Sequence, residues 1–250
     1  MKNLTLIFAT GNAGKLREAR EILGPAGIEV VSPYDLGLTK EQVDVEETGS
    51  TFEENAVIKV QNLWKLTGMS CFADDSGLVV DALGGAPGIY SARYASLDGS
   101  GEDHNFTSNI DRLLHEMQGF SDRRARFVCV VALAMPVAGV DRHASACQAE
   151  TGTEGAERPM SEGREPRGTL GTAPLKDNRC LENSITVFKG KCEGRIALGR
   201  AGCGGFGYDP VFIPDAYPDR TLAEVDEDAK NAISHRGDAL AKMVRHLKSL

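Results

Sequence analysis

The stretch Phe72-Ala73-Asp74-Asp75-Ser76-Gly77-Leu78-Val79-Val80-Asp81 decides how the rest of the chain is read. Two adjacent carboxylates stand between short apolar runs that suit strands, with Ser76-Gly77 predicted as a tight turn between them. Successive side chains on an extended backbone point to opposite faces. Asp74 and Asp75 are therefore expected in different surroundings, one serving a site and the other structure. The stretch continues into Gly84-Gly85-Ala86-Pro87-Gly88-Ile89-Tyr90-Ser91-Ala92-Arg93-Tyr94, where glycines permit unusual backbone angles and the close approach of a ligand. Taken alone, the segment reads equally well as an acidic turn followed by a surface loop. The flanking chain has to decide.

Upstream, residues 4–9 form an apolar run that suits a buried first strand and is too short for a secretory h-region. Thr10, Gly11, Asn12, Ala13, Gly14 and Lys15 follow, opening a helix in which Leu16, Ala19, Ile22 and Leu23 share a face and which Gly24-Pro25 ends. Strand, glycine turn and helix aim free backbone N–H groups at an anion, and Lys15 adds a mobile charge. It is not a Walker A loop, because Leu16 stands where a Ser or Thr would hold magnesium. Residues 28–31 suit a second strand. The acidic run Glu46-Glu47 precedes Thr51-Phe52-Glu53-Glu54, a capping-box pattern expected to start a helix that buries Ala56, Val57, Val60, Leu63 and Trp64. Lys59 falls at the flank of that stripe. On their own, Glu46 and Glu47 fit a solvated edge and Lys59 an ordinary exposed lysine.

Downstream, the pattern predicts a helix over 105–117 and a long strand over 126–135, apolar on both faces and so central to a sheet. His104 and His115 read as surface histidines. Residues 137–184 carry few apolar groups and are expected to be a weakly ordered insertion within a single domain spanning 1–250; His143 and Cys147 lack the second pair a metal site needs. Residues 185–190 and 193–198 are predicted as a hairpin around Lys191-Cys192. A second glycine-rich loop, 201–210, puts Phe206 where it could stack on a ring and Asp209 where it could accept from one. An acidic helix is expected over 222–230. Ser234 is a good N-cap for the last helix, placing His235 and Arg236 on its first turn. Two cations at the positive end of a helix dipole are unfavourable. Their placement therefore points to an anionic or oxo-bearing partner.

Composition narrows the class. The 250 residues are 41% hydrophobic and 26% charged, ordinary for a soluble domain, and the net charge of −8 disfavours nonspecific contact with nucleic acid or an anionic membrane. No apolar run approaches the roughly 20 residues of a membrane span. Cys71, Cys129, Cys147, Cys180, Cys192 and Cys203 form no CxxC pair, so neither a zinc cluster nor a disulfide framework is expected, and a reducing cytoplasm is the simplest setting.

Six segments in order resemble one family, the inosine/xanthosine triphosphate pyrophosphatases, also named Ham1-like. They are Thr10-Gly11-Asn12-x-x-Lys15; Glu46-Glu47-Thr48-Gly49 with Thr51-Phe52-x-Glu54-Asn55-Ala56; Ala73-Asp74-Asp75-Ser76-Gly77-Leu78; the 84–94 stretch; Gly205-Phe206-Gly207-Tyr208-Asp209-Pro210; and Ile233-Ser234-His235-Arg236-Gly237. The departure is 137–184, where the family usually has a short connection. The resemblance implies an elongated two-lobed α/β fold with a long central mixed sheet flanked by helices, a nucleotide cleft between the lobes, a homodimer and a magnesium requirement. It implies that Thr10, Gly11, Asn12, Ala13, Gly14 and Lys15 hold a purine nucleoside triphosphate, with Lys59 and Ser76 assisting at the phosphates. Asp75 would be the catalytic residue and a metal ligand, with Glu46 or Glu47 completing the metal site. Phe206, Gly207, Tyr208, Asp209, Lys230, His235 and Arg236 would hold base and sugar. The implied reaction is Mg2+-dependent hydrolysis of dITP, ITP or XTP to the monophosphate and pyrophosphate. Two competing readings are a related pyrophosphatase of Maf-like type acting on other nucleotides and a regulator that binds a triphosphate without cleaving it.

Overall fold

The computed structural model describes residues 4–97, 105–136 and 184–250. His104, His143, Cys147, Cys180 and nearly all of the expected 137–184 insertion lie outside the described residues. Six strands make one mixed sheet in the order β2-β1-β3-β4-β5-β6. The strands are β1 (Leu4–Phe8), β2 (Ile28–Val31), β3 (Cys71–Val80), β4 (Arg124–Ala134), β5 (Ile185–Ile196) and β6 (Phe212–Pro214). β1 runs parallel to both β2 and β3, while β3 to β6 are antiparallel. As its two apolar faces predict, β4 lies between the long neighbours β3 and β5.

Two expected turns are absent. Ser76 and Gly77 pair with Cys129 and Val128 in the middle of an unbroken β3–β4 ladder. Likewise Lys191 and Cys192 sit inside a continuous β5, opposite Val128 and Phe127. In both places the glycines admit a neighbour instead of bending the chain. A Cβ on Gly77 would overlap the Gly88 carbonyl and come 2.5 Å from Ser91 Oγ; one on Gly190 would overlap the His235 carbonyl, and one on Gly194 the Ile213 carbonyl. Close approach is the second reason for glycine in a strand, and here it is the operative one.

Helices cover the sheet where their apolar stripes dictate. α1 (Ala13–Leu23) and α6 (His235–Leu247) pack on one face with Leu6, Phe8, Phe72 and Leu133. α3 (Phe52–Thr67) lays Ala56, Val60, Leu63 and Trp64 on the other, against Ile7, Ala73 and Ala132. A short α2 (Lys40–Val43) leads into α3. Beyond this lobe the far halves of β3, β4 and β5 carry a second core, built from Leu78, Val80, Phe127 and Ile196 with Ile110 and Leu113 of α4 (Phe106–Glu116). The long strands thus pass through both cores, and a cleft opens where one gives way to the other. The expected acidic helix begins as a short turn at Leu222–Glu224; α5 (Glu227–Ile233) then starts from an Asp226 cap. Thr51 accepts the Glu54 N–H as an N-cap should, but the Glu54 carboxylate reaches Ser50 N–H, one residue earlier than a capping box.

Candidate active site

α1 enters the cleft through its cap. Asn12 Oδ1 accepts the Lys15 N–H at 3.1 Å and Thr10 Oγ1 accepts the Asn12 N–H at 3.1 Å, which shapes the turn and leaves other first-turn donors without intrahelical acceptors. The Lys15 side chain extends to Asp74, its Nζ 3.0 Å from Oδ1. The predicted site residues line one cleft of about 1150 Å³, apart from Ala13 and Gly14, which lie behind it in the first turn. Gly14 still shapes the site: a Cβ there would stand 3.1 Å from the Phe206 ring.

Alternation along β3 separates the two acids as expected. Asp74 enters the α1–α6 face, where Arg236 Nε and Nη2 both donate to its Oδ2 at 3.2 Å and Ser76 Oγ donates at 3.1 Å. Burial alone would raise its pKa, but Lys15, Arg236 and Lys59 together hold it well below the usual carboxylate range. Asp75 enters the α3 face. Lys59 Nζ lies 2.8 Å from its Oδ1 and 2.9 Å from Glu47 Oε1, and Asn55 Nδ2 donates to its Oδ2 at 3.3 Å. Burial pushes Asp75 up, against the pull of Lys59. Glu46 borders the same cleft, but it is Glu47 that shares the Lys59 ammonium with Asp75. Lys59 is far from the exposed lysine its position on the stripe allowed: its side chain is 16% exposed and its charge is held by these two acids.

The second glycine loop is arranged differently from its expected use. Asp209 Oδ2 closes the loop by accepting the Phe206 N–H and Lys230 Nζ, each at 2.8 Å. Tyr208 turns its hydroxyl inward to the Ser91 carbonyl at 3.0 Å. Phe206 carries two cations against its ring, Lys230 Nζ at 4.9 Å and Arg236 Cζ at 5.7 Å from the centroid.

The anionic balance expected for His235 and Arg236 is found inside the protein. Arg236 is almost wholly buried; Asp74, Ser76 and Glu18 account for four of its five N–H groups. Glu18 also takes Lys230 at 3.0 Å, so one buried carboxylate ties together the ends of α5 and α6. The sequence reading missed Glu18, although it sits one turn beyond Lys15 beside Ala19. His235 stacks on Phe127 with centroids 4.8 Å apart, and burial followed by the nearby Arg236 charge drives its pKa well down, so it is neutral. Its Nδ1 is buried without a hydrogen-bond partner among the described residues.

Among the described residues no group of three or more His, Cys, Asp or Glu side chains is poised around a metal. The Asp75–Glu47 pair, already clasping one cation in the Lys59 ammonium, fits a hard divalent ion that takes one or two carboxylates and draws further oxygens from phosphate.

The Ham1 family profile matches residues 6–163 and 174–246, so the match continues through most of 137–184 and breaks at 164–173. A dITP/XTP pyrophosphatase from Bacillus licheniformis is 40% identical over 240 residues, 95% of this chain and 95% of its own. Among solved structures, the Ham1 protein of Staphylococcus aureus is 34% identical with a TM-score of 0.68, covering 98% of each chain. A HAM1 protein from Coxiella burnetii is 33% identical with a TM-score of 0.70, covering 99% of this chain and 100% of that one. Family profile, relatives and solved structures agree, and the chain belongs to the Ham1 family.

Proposed function

We propose that the protein hydrolyses noncanonical purine nucleoside triphosphates (dITP, ITP and XTP) between the α- and β-phosphates, giving the monophosphate and pyrophosphate. One observation carries the reading: a lysine-bearing helix mouth, a carboxylate pair clasping Lys59 and the Phe206 loop meet in a single cleft. The names of relatives 38–40% identical to this chain support the substrate class.

In this reading the first turn of α1, Lys15, Lys59 and Ser76 bind the triphosphate, the backbone donors and the two ammonium groups facing its oxygens. Lys15 leaves Asp74 and Lys59 leaves Asp75 to do so. Asp75 accepts the proton of the attacking water, a role its raised proton affinity suits. Asp75 and Glu47 would hold Mg2+, which when bound supplies charge neutralisation at the phosphates and a more acidic water. Phe206 stacks on the base. Neutral His235 and the remaining N–H of Arg236 donate to the 6-oxo group, which leaves the amino group of adenine facing a donor. A buried mismatch of that kind gives large discrimination. The chain acts as a single Ham1-like domain over 1–250 with the expected insertion at about 137–184, of which only 164–173 falls outside the family match, and as a homodimer in the cytoplasm.

Pyrophosphate release measured over a nucleotide panel, with Mg2+ present and then chelated, tests the reading. Turnover of XTP and dITP that stops on chelation is expected. Equal or better turnover of UTP or dTTP would overturn the substrate assignment, and binding without product over hours would overturn hydrolysis.

A further inference from the structure

Asn55 is fully buried, although it follows the exposed start of α3 and carries no charge to pair. Its two ends are both used. Its Oδ1 accepts the Gly49 N–H at 2.9 Å, and its Nδ2 donates to Asp75 Oδ2 at 3.3 Å. The orientation follows from chemistry: a backbone N–H can only donate, so the amide oxygen must face Gly49 and the NH2 must face Asp75. Gly49 lies two residues from Glu47 in the acidic loop. That loop packs so tightly on Asn55 that a Cβ on Gly49 would stand 2.5 Å from Asn55 Oδ1 and 2.7 Å from Glu54 Cβ. One amide thus joins the strand bearing Asp75 to the loop bearing Glu47, through the carboxylate oxygen that Lys59 does not take.

We infer that Asn55 is a positioning residue for hydrolysis: it holds Asp75 Oδ2 so that Oδ1 faces the cleft, and it fixes how far Glu47 stands from that oxygen. The inference rests on the reading of Asp75 as the catalytic base. Each acid has Lys59 in common, but a lysine has a flexible stem and is needed at the phosphates. Asn55 is short, has its amide plane fixed at both ends, and reaches no phosphate. Misplacement of a reacting group by about 1 Å costs on the order of 10²-fold. Aspartate at 55 keeps the acceptor for Gly49 but replaces the donor to Asp75 with a like charge.

The test compares Asn55→Asp, Asn55→Ser, Asp75→Asn and the exchanged double variant Asn55→Asp/Asp75→Asn. For each, XTP turnover is measured at saturating Mg2+, together with thermal stability and the Kd of an XTP analogue bearing an uncleavable α,β bridge. Asn55→Asp and Asn55→Ser should each lower kcat by about 10²-fold while the analogue Kd stays within about threefold. The exchanged variant restores a donor–acceptor pair across the same gap, so its melting temperature should return toward that of the parent while it remains inactive. If either single Asn55 variant turns over within threefold of the parent, the inference is wrong. Recovery of kcat in the exchanged variant would bear on Asp75 and not on Asn55, because that variant has no carboxylate at position 75. An active Asp75→Asn protein would instead overturn the role given to Asp75. Should Asn55→Asp fail to fold, Gly49→Ala takes its place: it displaces the loop with both partners intact, and unchanged kcat there overturns the inference.

Discussion

Asp74 and Asp75 are neighbours in sequence and opposites in circumstance. Asp74 is enclosed on the α1–α6 face among Lys15, Arg236 and Ser76, and the charges of Lys15, Arg236 and Lys59 keep it ionised despite complete burial. Asp75, on the α3 face, has a single ammonium shared with Glu47 and an amide, and burial raises it. A one-residue step along a strand is enough to separate a carboxylate held ionised within a framework of cations from one whose proton affinity burial raises. The framework acid continues into a buried chain, since Arg236 leads to Glu18, Glu18 to Lys230 and Lys230 to Asp209 under Phe206. Such a chain is costly to desolvate and weak grounds for inferring stability, yet removing one member leaves a buried charge unpaired.

The contrast is sharpened most by Asp75→Asn. Turnover should fall about 10³-fold, the scale of a lost general base, with triphosphate affinity retained and the melting temperature kept or raised. Steady-state kinetics beside calorimetry check both halves, and an active variant would erase the distinction between the two acids. Asp74→Asn should do the reverse in stability, costing roughly 3–5 kcal/mol by stranding Arg236 in the core. Denaturant unfolding measures it; a loss below about 1 kcal/mol would mean that Arg236 finds another partner. Lys15→Ala comes next. On the proposed phosphate role the loss is a charge-assisted contact worth about 1.5–3 kcal/mol, so KM should rise about 10- to 100-fold, and an unchanged KM counts against that role.

The smallest effect is the pH dependence. His235 has a folded pKa far below its unfolded value of about 6.5, so on acidification the unfolded chain takes up the proton first. Stability should therefore decline as the pH falls below about 6.5, by up to about 1.4 kcal/mol per pH unit from this group. Asp74 adds its own loss only below about pH 4, where the unfolded carboxylate protonates. Asp75, raised in the folded state, contributes with the opposite sign: its effect favours folding at low pH and fades as the pH rises through its folded pKa. His235→Gln should flatten the unfolding free energy between pH 7 and 5; a slope equal to that of the parent would show that other groups set it.

Much was legible in the chain because its signals are local. Apolar spacing placed α1, α3, α4 and α6, the caps at Thr51 and Ser234 marked the starts of two of them, and a run apolar on both faces marked β4 as central. The alternation rule also separated Asp74 from Asp75 before any packing was known. What failed was the reading of Ser76-Gly77 and Lys191-Cys192 as turns, where Gly77, Gly190 and Gly194 instead sit within continuous strands. Glycine bends a chain or admits a neighbour, and only the Gly88, His235 and Ile213 carbonyls packed against them decide which. Tertiary structure alone also decided that Arg236 is balanced by Glu18 and Asp74, that Glu47 and not Glu46 shares Lys59 with Asp75, and that Asp209 closes its own loop. Capping and periodicity are settled within a few residues, whereas charge pairing joins positions as far apart as 18 and 236 and is set by which faces the sheet brings together.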